Sequence, residues 1–203
     1  MISSLSRLTS EMKIIVLDAS VLINILGSGS PKALLAALRR EVVVPVLREV
    51  NRDPVEQRSS DVAIASLIES GLLRMESLDD LAANVFWSLV GAPSPDDLGD
   101  GEAAAIAYAV STGAVSAIDD RKARRVAAAN WPNQTLLHSI ELFLASDVVQ
   151  LFPPSDLADL VYGALSNARM RVPVEHRKAI VALIGADRAS LCSSLGFRSS
   201  FED

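Results

Sequence analysis

Aromatic side chains are scarce in this chain, with two Trp, two Tyr and five Phe among 203 residues. No aromatic-rich stretch is present on which unpaired bases could stack, so the commonest platform for single-stranded nucleic acid is missing. A single cysteine, Cys192, excludes an internal disulfide framework and reads as a small buried hydrophobe. The two histidines, His138 and His176, stand apart, and with one Cys they offer no zinc-type ligand cluster. Net positive charge is missing as well. At −6, with a pI near 5.0, the chain cannot capture a polyanion through overall charge, which leaves local basic patches or a bound metal. Apolar runs stay well short of the ~20 residues of a membrane span. The apolar stretch beyond Arg7 and Lys13 is broken by Asp18 and Asn24, and no A-x-A-like cleavage site follows it. The expected setting is the reducing cytoplasm.

What is present is aliphatic. Half the residues are hydrophobic, Ala, Leu, Val and Ile dominate, and mean hydropathy is +0.30, as expected where helices pack on a parallel sheet. Four short strand-type runs, KIIVL (13–17), EVVVP (41–45), LLRMESL (72–78) and AVSAI (114–118), are separated by segments of helical period. The helices are expected in SVLINILG, in SPKALLAALRR, and in PVLREVNRD with Pro45 as its first residue. Further ones are expected in DVAIASLIESG, in SLDDLAANVFWSLVG with Ser77 or Asp79 as cap, and in EAAAIAYAVSTG after the loop APSPDDLGDG. DDRKARRVAAANW, QTLLHSIELFLAS and two stretches near 155–169 and 174–185 complete the set, while DVVQLF and RMRVP are ambiguous. This alternation predicts a three-layer α/β fold, a central parallel sheet flanked by helices. The main domain is expected over 13–152, with a C-terminal helical appendage at 153–203 packed on or next to it.

In an open α/β sheet, ligands bind beyond the carboxyl ends of the strands, and acids recur at that edge here. Asp18 closes the first strand, Asp119 and Asp120 close AVSAI, Glu49 lies about one turn after EVVVP, and Glu102 begins the helix after LGDG. Each alone has a plain explanation as a helix cap, a dipole-favoured residue or part of a solvated face. Their convergence on one edge does not. Carboxylates brought within ~4–6 Å repel, and a divalent cation relieves the repulsion. All-oxygen ligation favours Mg²⁺ or Mn²⁺, and such a site suits hydrolysis of a phosphodiester by metal-activated water.

Asp18 in VLDASVLIN, Glu49 in VVVPVLREV, Glu102 in LGDGEAAAIAYA and the pair in AIDDRKARRVA resemble, in order and spacing, the PIN-domain nucleases. The likeness runs from about Lys13 to Phe152 and is greatest to the branch that includes ribonuclease toxins of type II toxin–antitoxin modules. The resemblance implies an acidic pocket with one or two Mg²⁺ or Mn²⁺ ions and endonucleolytic cleavage of RNA. It also implies a homodimer and a small antitoxin protein whose tail fills the acidic groove. Carried onto this chain, the metal ligands are Asp18, Glu102, Asp119 and Asp120, Glu49 is a further catalytic acid, and Ser20 is the small polar residue near the metal. Two other functions stay open: a PIN-fold protein-binding module without activity, and a nuclease of RNA processing rather than a toxin.

RKARR follows the acid pair directly. On a helix, Arg121, Arg124 and Arg125 share one side and are placed to hold RNA phosphates, or equally to form a solvated basic face. A second basic cluster spans Asn167 to Lys178.

Overall fold

A computed structural model describes residues 6–46, 62–91 and 96–195. In chain order the elements begin with β1 (Ile14–Leu17), α1 (Ala19–Gly27), α2 (Pro31–Leu38), β2 (Glu41–Val46), α3 (Val62–Glu69) and β3 (Arg74–Ser77). Next come α4 (Asp80–Leu89), α5 (Asp100–Thr112), β4 (Val115–Ala117), α6 (Arg121–Asn130) and β5 (Leu136–Leu137). Among the described residues, six further segments follow: α7 (Ser139–Phe143), α8 (Ser146–Leu151), α9 (Pro154–Asn167), α10 (Val174–Ile184), α11 (Ala186–Ser190) and a 3-10 turn at Ser193–Leu195. The chain divides into two compact units. One takes in Thr9–Leu22 and Arg40–Leu137, the other Met1–Leu8, Ile23–Arg39 and His138–Asp203.

The first of these units holds the whole sheet, five parallel strands in the order β3-β2-β1-β4-β5, flanked by helices. Ile15, Val16 and Leu17 are fully buried, which is why β1 reads as an unbroken apolar run rather than an alternating one. α5 lies against β1, β2 and β4 through Ala103 to Ala107 and Ala109, all buried. Its alanines let the helix axis approach the sheet closely, while Leu89, Phe86 and Leu98 fill the space beside it. Asp79, rather than Ser77, caps α4, accepting from the backbone N–H of Ala82 at 2.8 Å.

Two expectations are corrected. Pro45 opens no helix; it is buried in β2, paired with Glu76 of β3. The β1 ladder ends at Val43, so Pro45 has a strand neighbour on one side only, the circumstance in which a strand tolerates a missing N–H. QTLLHSIELFLAS is not one helix but the two-residue strand β5 followed by α7. A strand that short carries no period of its own, and its identity comes from the ladder with Ser116 and Ala117. DVVQLF forms α8, and RMRVP is neither helix nor strand.

The other unit is helical. α9 packs on α7 and α10, and Gly163 brings its backbone so close to the Ser28 carbonyl that a Cβ would lie 2.8 Å away. Cys192 is buried there, as expected from its sequence context. Among the described residues no single helix is long and apolar enough to cross a membrane. A salt bridge joins Arg7 to Glu141, whose side chain is only 1% exposed. The guanidinium donates to Oε1 at 2.8 Å and Oε2 at 2.9 Å, and the backbone N–H of His138 donates to Oε2 at 2.8 Å. Burial pushes the Glu141 pKa up, but the Arg7 hydrogen bonds and charge together with the His138 N–H outweigh it, and the net shift is downward. A carboxylate with a depressed folded pKa stabilises the fold above its ordinary range, and that contribution is lost as pH falls through the folded value. Arg7→Ala should therefore lower stability by about 1–3 kcal/mol at neutral pH. It should also flatten the acid limb, read as the midpoint of denaturant unfolding between pH 7 and 3.

Candidate active site

β1 lies between β2 and β4, where the connections change direction along the sheet, so its carboxyl end faces the crevice in which such folds bind ligands. The register sets Leu17 beside Ala117, and the Asp18 N–H donates to the Ala117 carbonyl at 3.1 Å. Asp18 and Asp119 therefore leave the sheet from neighbouring strands. Both are buried, 4% and 8% exposed.

Asp18 also starts α1. Its carbonyl accepts from Val21 and Leu22, and its Oδ2 accepts from the Ser20 N–H at 3.3 Å and from the Ser20 hydroxyl. Burial raises its pKa, the Ser20 and Ala19 hydrogen bonds oppose this, and the negative charge of Asp119 adds to the rise. Glu102, half-buried in the first turn of α5, is also raised, first by burial and then by the charge of Asp18. Its own backbone N–H lowers it, Asp120 raises it and Lys122 lowers it. Gly101 lies against the Asp18 carboxylate: a Cβ there would stand 3.3 Å from Asp18 Oδ1, a tight contact. Asp120 caps α6, its Oδ1 accepting from the Ala123 N–H at 2.8 Å. The structure thus brings Asp18, Glu102, Asp119 and Asp120 to one edge, with Asp18 in electrostatic reach of Asp119 and Glu102, and Glu102 in reach of Asp120. Glu49 lies outside the described residues.

These acids are turned towards local donors. Asp18 is held by Ser20, Asp120 by Ala123, and Glu102 curls back over Gly99. Accordingly, among the described residues no three His, Cys, Asp or Glu stand close enough together to grip a metal ion as placed. The donor chemistry nevertheless fits a hard cation: only carboxylate oxygens, two of them buried and two half-buried, repelling one another and opposed by one nearby lysine. Asp18 and Asp119 would hold it, with Glu102 and Asp120 turning in from the two helix starts.

The basic residues separate sharply. Arg124 points inward, donating to the carbonyls of Ile118 at 2.9 Å and Leu137 at 2.8 Å, so it does not stand on a solvated face with the others. Arg125 pairs with Asp96 at 2.6 Å on the surface. Arg121 is exposed and has no ion pair among the described residues. Lys122, passed over in the sequence because it lies off the arginine stripe, donates to the Asp97 carbonyl and is the cation acting on Glu102. Its position two residues after the acid pair was the available signal.

A raised folded pKa means the folded protein holds its proton more tightly than the unfolded chain. The stability so gained is complete below the ordinary aspartate range and is lost as pH rises through the folded value. At neutral pH without divalent metal, ionised Asp18 therefore works against the fold. Asp18→Asn should raise the melting temperature at pH 7 in EDTA, with the advantage shrinking towards pH 4; differential scanning calorimetry at several pH values measures this.

Residues 14–131, more than half of the 203-residue chain, match the family DUF3368, described as a PIN domain. Comparisons with curated proteins and with solved structures gave no match. With the parallel five-stranded fold and the acids at its switch point already in place, the chain belongs to the DUF3368 family of PIN domains, a family of nuclease type.

Proposed function

We propose that this protein is a Mg²⁺- or Mn²⁺-dependent endoribonuclease that hydrolyses RNA phosphodiester bonds, and that it serves as the toxin of a type II toxin–antitoxin pair. The observation that carries the reading is the emergence of Asp18 and Asp119 side by side from β1 and β4, with Glu102 and Asp120 beside them, in a chain of the PIN family. A divalent cation bound there would acidify its water and offset charge developing at the phosphoryl group. Asp18 and Asp119 hold the site, and Ser20 orients Asp18 through its hydroxyl and its backbone N–H. Glu102, with a raised pKa, is a better proton acceptor at its carboxylate oxygens than an ordinary surface glutamate. Arg121, exposed beside the acid pair, meets the phosphate backbone and contributes position rather than sequence choice. The toxin assignment rests on the likeness of LGDGEAAAIAYA and AIDDRKARRVA to that branch. It brings with it a homodimer in the cytoplasm and a small antitoxin that covers the acidic groove.

A second reading, a PIN-fold binding module without activity, draws on one observation: Asp18 and Asp120 are engaged by the N–H groups of the helix starts beside them, and the described acids do not close on a common point. Purified protein given single-stranded RNA with Mg²⁺ or Mn²⁺, with and without EDTA, separates the two. Cleavage should depend on metal and fall at least about 100-fold in Asp18→Asn, since a metal contributes several kcal/mol to such a transition state. Equal cleavage by wild type and Asp18→Asn, or activity insensitive to EDTA, would sink the nuclease assignment. Absence of cleavage with either metal would favour the binding module.

A further inference from the structure

Arg124 is the one member of RKARR whose guanidinium turns into the sheet edge. Nη1 donates to the carbonyls of Ile118 and Leu137, and Nη2 donates to Leu136 at 3.3 Å. These carbonyls lie where β4 and β5 stop. The ladder pairs Ser116 with Leu136 and Ala117 with Leu137, and the Ile118 N–H makes a further bond to the Leu137 carbonyl at 3.0 Å. Ile118 is fully buried, and a buried carbonyl at the end of a ladder needs a donor from elsewhere. A planar fork can serve several carbonyls at once, whereas an ammonium group presents its donors from one point.

Ile118 immediately precedes Asp119. From there the chain closes a ring. Asp120 Oδ1 accepts from the Ala123 N–H, the Asp120 carbonyl accepts from the Arg124 N–H at 3.1 Å, and the Arg124 side chain returns to the Ile118 carbonyl. The acid pair sits inside this ring, held on one side by the strand end and on the other by the first turn of α6. We infer that Arg124 is a positioning residue for Asp119 and Asp120, its guanidinium fixing the backbone from which both acids project, and that it is not an RNA contact. The inference rests on the proposed role of those acids as the metal-holding pair. Arg121 is its opposite: on the same helix, exposed, and free of any ion pair among the described residues.

The test uses the full chain and Mn²⁺ alone as the first probe. Calorimetric Mn²⁺ titration, far-UV circular dichroism and thermal unfolding are measured for wild type, Arg124→Ala, Arg124→Lys, Arg121→Ala and Asp18→Asn. Arg74→Ala, which removes from β3 a surface ion-pair partner of Glu41 on β2 and of Glu76, is the control. Steady-state kcat and KM on single-stranded RNA follow. Arg124→Ala, folded at the assay temperature, should bind Mn²⁺ about 10–100-fold more weakly, the usual effect of losing a group that orients metal ligands. Its kcat should fall with KM within about twofold of wild type, the signature of a group not used to bind substrate. Arg124→Lys should be weakened several-fold at least, Arg121→Ala should show the reverse split with raised KM and unchanged Mn²⁺ affinity, and Arg74→Ala should bind Mn²⁺ as wild type does. Wild-type Mn²⁺ affinity in Arg124→Ala, or a change in KM alone, overturns the inference. Should Arg124→Ala not fold, wild-type affinity in Arg124→Lys overturns it equally. If wild type and Asp18→Asn bind Mn²⁺ alike, the metal-site reading has failed and the inference falls with it. If Asp18→Asn loses binding while Arg124→Ala keeps it, only the inference fails.

Discussion

The pairing of β1 with β4 is the contact on which the candidate site depends. It places the carboxyl ends of two buried strands side by side and so forces Asp18 and Asp119 out of the sheet next to each other, in surroundings too dry to screen them. Burial, with the nearby Asp119 adding to it, disfavours an ionised Asp18 and raises its pKa. The molecule contains that opposition with short-range donors: the Ser20 hydroxyl and N–H on Asp18 and the first turn of α6 on Asp120. Strain held in this way is common where function requires groups that packing alone would reject.

Capping and function therefore do not compete as explanations of the same residue. Asp18 and Asp120 both stand at helix starts and use the N–H groups there, and both stand where the sheet edge faces its crevice. In a parallel α/β fold the N-terminus of a helix and the carboxyl end of its strand are the same place, so the cap position and the ligand position coincide. α5 adds the third acid. Its alanines bring its first turn close to β1, and Gly101 lies against the Asp18 carboxylate.

Of the four cations in α6, Arg124 alone turns inward, while Arg121, Lys122 and Arg125 are exposed. Arg124 serves the sheet edge, Lys122 and Arg125 tie the helix to the stretch at Asp96 and Asp97, and Arg121 stands exposed. What reads as a basic stripe in one dimension is in space one brace at the sheet edge, two ties to the stretch before α5, and one exposed cation.

Much of the fold is legible in the sequence because it is locally encoded. KIIVL, EVVVP, LLRMESL and AVSAI are strands where apolar β-formers accumulate, and the helices between them follow their period and their caps. β5 and the strand position of Pro45 were not legible, since two residues carry no period and a proline at the end of a β1 ladder is tolerated for a non-local reason. The sequence by itself determined which segments end in an acid, Asp18, Glu102 and Asp119–Asp120, because strand ends and helix starts are written in neighbouring residues. Only the tertiary structure decided that β4 lies beside β1, so that Asp18 meets Asp119, and that Arg124 turns inward while Arg121 does not. Strand order and the direction of a long side chain are settled by partners distant in the chain, where ladder hydrogen bonds and buried carbonyls have to be satisfied together.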